Sequence, residues 1–107
     1  MYITPAQLAE IPGATELAQS AGPEHGVVID PALMDLTLRG GDRAAFGAEE
    51  VAAADAALLR IQTAIEWAGE FIDGYIRRRV SLPLSSVPLM LLRVARHLVR
   101  YDLHKTL

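Results

Sequence analysis

Cysteine is absent from this 107-residue chain, which excludes disulfides and thiolate metal sites and fits synthesis in a reducing cytoplasm. Positive charge is in deficit: 10 Lys and Arg stand against 13 Asp and Glu, for a formal net charge of -3 and a pI near 5.5. That balance argues against a general nucleic-acid binder, which is normally basic. No apolar run approaches the roughly 18 residues of a membrane span. The opening Met1-Tyr2-Ile3-Thr4-Pro5 lacks the basic region and apolar core of a signal peptide. The expectation is a soluble, single-domain product with no membrane partner, not secreted by that route.

Reactive groups that converge are missing too. There is no glycine-rich phosphate loop, nucleophile elbow or HExxH pattern. His97 and His104 share a helix face but lie about 10.5 Å apart at roughly 1.5 Å per residue, too far to ligate one zinc. His25, beside Glu24, has no third ligand in view. Asp55, Glu66, Glu70 and Asp73 make an acidic strip that a solvated helix face explains, with Asp73 and Arg77 spaced for an exposed ion pair. The reading is therefore no enzyme: no catalytic residue, no metal and no cofactor.

What the chain does contain is helical periodicity. Val51, Ala54, Leu58, Ile61, Ile65, Ala68, Ile72 and Tyr75 recur in alternating steps of three and four, which predicts one buried stripe on a long helix over residues 48–79. Gly47 opens it, Glu49 and Glu50 suit the positive end of its dipole, and Arg77, Arg78 and Arg79 suit the negative end. At roughly 1.5 Å per residue it would run about 48 Å, so part of it should project or meet another copy. Trp67 and Phe71 form a second apolar flank, read either as packing on the N-terminal segments or as a subunit contact.

The remaining segments are read from their punctuation. Thr4, Pro5 and Gln7 predict a capping box opening a short helix that ends near Pro12 and Gly13. A second short helix should cover residues 14–20, stopped by Gly22-Pro23, with Leu8, Ile11 and Leu17 docking both on the long helix. Residues 22–47 read as an irregular insertion or loop, with an extended piece at Val27-Val28-Ile29, a helix from Asp30-Pro31 to about Leu38 ended by Gly40-Gly41, and Phe46 as an anchor. Leu82-Pro83-Leu84 and Val87-Pro88 break the long helix and return the chain. A last helix, with Pro88 at its first position, should bury Leu91, Val94, Ala95, Leu98 and Tyr101 and present Arg93, Arg96 and Arg100 on the opposite face. The fold class expected is all-α: a long helix and an antiparallel C-terminal helix joined by a proline-rich link, with short N-terminal helices across the pair.

The ordered run Ile72-Asp73-Gly74-Tyr75-Ile76 with Arg79, then Leu82-Pro83-Leu84, Val87-Pro88, Leu92, Arg93, Ala95, Arg100, Tyr101 and Leu103, resembles the small head-to-tail connector family of Mu-like tailed phages and prophages. Tyr2, Thr4, Pro5 and Leu8 fit that family's usual start. The resemblance implies a structural virion protein at the head–tail junction, made in the bacterial host cytoplasm. It implies a homo-oligomeric ring, a dodecamer, beneath the portal protein. The ring would bridge the portal to a tail-completion or tail-terminator protein and leave a channel for genomic DNA, passed without sequence specificity. Subunits would be monomeric or weakly associated alone, with residues 22–47 and the tail after Tyr101 ordering on docking. Candidate subunit or portal contacts are Trp67, Phe71, Asp73, Arg77, Arg78, Arg79, Arg93, Arg96 and Arg100. The alternative is a helix-turn-helix-like regulatory module whose Arg93, Arg96 and Arg100 address DNA phosphates; the acidic balance and the long proline-broken link count against it.

Overall fold

In the computed structural model, residues 1–22, 29–82 and 84–105 are described, and every regular element among them is helical. Thr4 caps α1 (Pro5–Leu8): its hydroxyl accepts from the Gln7 amide at 3.2 Å, and the Gln7 side chain accepts from the Thr4 amide at 2.9 Å. The chain then widens into a π-turn over Ala9–Gly13, where Ile11 is extended (φ -143°, ψ 119°) and Gly13 takes a φ of 102° that favours glycine. Helix α2 (Ala14–Ser20) follows within its expected limits. Leu8 and Leu17 are fully buried as expected, but Ile11 is 55% exposed. The break that extends its backbone swings its side chain outward.

Within residues 22–47, the helix foreseen from Asp30-Pro31 is α3 (Pro31–Arg39). Asp30 accepts from the Ala32 amide at 2.8 Å, and Gly40 closes the other end with a left-handed φ of 73°. Leu33 and Met34 are fully buried, so this helix contributes to the core. Phe46 packs against that core as anticipated. The Val27-Val28 piece, the stop at Pro23, the His25-Glu24 pair, Pro83 and the last two residues of the tail lie outside the described residues.

Helix α4 (Ala48–Ile76) runs the length of a molecule measuring 48 × 28 × 18 Å. It buries Ala54, Ala57, Ile61, Ala64, Ile65, Ala68 and Ile72, a stripe in which the alanines let neighbouring helices approach closely. Its length is not left bare. The loop before it reaches its start through an Arg43 to Asp55 pair, α2 meets its middle through Arg60 Nε and the Ala21 carbonyl (2.7 Å), and Tyr2 reaches Asp73 near its end. The helix stops at Ile76, so Arg77, Arg78 and Arg79 form the turn beyond it and not its last turn. Tyr75, expected in the stripe, is 74% exposed. Met1, Tyr2, Leu82, Leu84 and Val87 gather on the Asp73 side of this end. At about 100° per residue Tyr75 points almost the opposite way.

Helix α5 (Leu89–His104) returns antiparallel, with Pro88 at its N-cap and not at its first helical position. Its buried residues are Ala95, Val99 and Leu103, with Leu91, Leu92 and Leu98 partly covered. Val94 and Tyr101, expected inside, are 40% and 63% exposed. The buried centre has rotated because α5 has two partners, α4 on one flank and the N-terminal segments on the arginine flank.

Candidate interaction surface

The arginines of α5 face the molecule's own N-terminal region. Arg100 grips Glu16 on α2 with two parallel bonds, Nε to Oε2 at 2.9 Å and Nη2 to Oε1 at 2.6 Å. His104 Nε2 stands 3.8 Å from the same carboxylate. The Arg100 guanidinium holds the Glu16 carboxyl below the usual range against the opposing effect of desolvation. Arg96 Nε donates to the Ile11 carbonyl at 3.1 Å, a group that the extended backbone at Ile11 frees from helical pairing. Two of the three stripe arginines therefore hold the N-terminal helices onto α5. Arg93 is exposed and has no ion pair among the described residues.

The acidic strip also divides. Asp55 pairs with Arg43 at 2.6 Å. Asp73 accepts the Tyr2 hydroxyl, and burial together with that carboxylate pushes the Tyr2 phenol up to about 12. Arg77, spaced to pair with Asp73, instead donates from Nε to the Asp73 backbone carbonyl at 3.2 Å, because the carboxylate is turned toward Tyr2. Glu66 and Glu70 are exposed and, like Arg78 and Arg79, form no ion pair among the described residues.

Trp67 and Phe71 lie on the α5 side of α4, so the expected packing on the N-terminal segments is replaced by contacts with the end of α5 and along α4 itself. Trp67 is half-buried with the Lys105 ammonium 5.6 Å from its ring centre, a cation–π contact with the end of α5. Phe71 stacks on it at 5.7 Å and on Tyr75 at 5.2 Å, forming a ladder that grows more exposed toward the helix end. On α5, Met90, Val94 and Tyr101 share a face within about 40° of one another. Lys105, about 40° round α5 from Tyr101, lies over Trp67, which puts this flank of α5 on the ladder's side of the helix pair. Five large apolar side chains, Phe71 and Tyr75 on α4 and Met90, Val94 and Tyr101 on α5, are thus exposed on the same flank of the helix pair. The spacing of 90, 94 and 101 was a legible second stripe; assigning Val94 and Tyr101 to the core concealed it.

Among the described residues no three His, Asp or Glu side chains gather as a metal would need, and no helix is long and apolar enough to cross a membrane. Residues 2–106 match the model of a protein family described as Bacteriophage Mu, Gp36. No curated protein and no solved structure matches the chain.

Proposed function

The chain belongs to the family described as Bacteriophage Mu, Gp36, and from that membership we propose that it is a structural virion protein joining head to tail. Copies form a ring beneath the portal, leave a channel for DNA and offer their far side to a tail-completion protein. The protein has no catalytic role. A closed ring needs each subunit to present two different, complementary surfaces.

The observation that carries the reading is the exposed apolar flank of the α4–α5 pair, in which Tyr75 is 74% and Met90 73% exposed. Single exposed apolar side chains are ordinary, whereas a contiguous patch asks for a partner. The competing DNA-binding reading needs Arg93, Arg96 and Arg100 free for phosphates, and Arg96 and Arg100 are already bonded within the chain.

The test is deletion of the gene from an inducible phage or prophage, followed by electron microscopy. Filled heads and separate, complete tails are expected, with tailed particles restored by supplying the protein in trans. Normal tailed, infectious particles without the protein would overturn the proposal. A gel shift on duplex DNA at physiological salt checks the competitor, for which tight binding would be required.

A further inference from the structure

We infer that the α4–α5 apolar surface is covered by a neighbouring copy of this same chain, which lays the Glu66 and Glu70 side of its own α4 against it. The inference rests on the ring reading above and names the surface that would close it. Charge selects the occupant. Arg78 and Arg79, in the turn that follows Tyr75 and the end of α4, are exposed and have no ion pair among the described residues; Glu66 and Glu70 are equally unpaired and exposed. At about 100° per residue, Glu66 and Glu70 lie roughly 100–140° round α4 from Phe71, on a different side of the molecule. One copy thus carries an apolar surface with a basic edge on one side and an acidic edge on the other. A contact between unlike surfaces repeats from copy to copy, as a ring requires.

The absence of native cysteine allows a clean test in the full chain. A double variant, Tyr75→Cys with Glu70→Cys, is oxidised at high protein concentration so that weak association is trapped. A ladder of dimers, trimers and larger species is expected. The control, Tyr75→Cys with Glu49→Cys at the far end of α4, should give at least tenfold less. An equal ladder in the control, or no ladder in either, overturns the inference. A Tyr75→Cys variant that stops at dimers, with Glu70→Cys adding nothing, also overturns it, because the surface would then pair with itself. Met90→Glu in the double variant should abolish the ladder with an unchanged melting temperature; Tyr75→Glu tested by gel filtration is the second variant. A surviving ladder combined with tailless particles assigns the surface to another virion protein: this inference falls and the connector reading stands. Loss of the ladder with normal tailed particles does the reverse.

Discussion

Arg100→Met should destabilise the isolated chain, although the position looked from the sequence like part of an outward stripe. The guanidinium makes two short bonds to Glu16, and the two side chains are 39% and 26% exposed. Fully exposed pairs contribute about 0.2–1 kcal/mol, and removing one partner of a buried pair costs about 3–5 kcal/mol. A bidentate pair this wet belongs near the lower end, at about 1.5 kcal/mol, which corresponds to a fall in Tm of roughly 6 °C for a domain of this size. Arg93→Met, at a position with no ion pair among the described residues, should stay within about 0.5 kcal/mol of the parent. Urea unfolding of Glu16→Gln, Arg100→Met and the double variant yields the coupling, expected near 1 kcal/mol at neutral pH. Because Arg100 lowers the folded Glu16 pKa, its stabilisation is present above the unfolded carboxylate value of about 4.3 and is lost as pH falls through the folded value. The coupling should vanish in acid. A coupling below about 0.3 kcal/mol at neutral pH, or equal losses at positions 93 and 100, would refute the reasoning.

Three further outcomes follow from the same structure. The Tyr2 phenol is raised to about 12 by burial and by the Asp73 carboxylate, so its stabilising share holds below pH 10 and disappears as pH climbs through about 12. Ultraviolet titration should show one late phenol, absent in Tyr2→Phe, and that variant should lose about 1 kcal/mol at neutral pH. Ile61→Ala empties a fully buried position on α4 and should cost about 3 kcal/mol in denaturant unfolding; a loss below about 1 kcal/mol would contradict the packing described. Gly40→Ala adds a methyl group to open space but at a φ of 73°, so strain alone should cost about 1 kcal/mol, and an unchanged melting temperature would contradict the left-handed cap.

The all-helical class, the limits of α2 and α3, the Thr4 capping box and the return at the proline link were legible because each is settled locally. A cap, a proline or a glycine acts on its own backbone, and a 3.6-residue repeat shows which side of a helix avoids water. The errors share a different origin. Tyr75, Val94 and Tyr101 fit the apolar repeat and yet face solvent, since a repeat reveals that a side is apolar and not which neighbour covers it. Arg96 and Arg100 read as surface charge because their partners, the Ile11 carbonyl and Glu16, lie more than eighty residues away in the chain.

The sequence by itself determined that this protein is a bundle of helices with one long member and a proline-marked corner. Each of those properties depends on residues within a turn or two of one another. Only the tertiary structure decided which arginines are bound internally and which form no ion pair among the described residues, and which apolar side chains of α4 and α5 are left uncovered. Those outcomes depend on how far each helix is rotated about its axis, and that rotation is fixed by the packing of all the elements together.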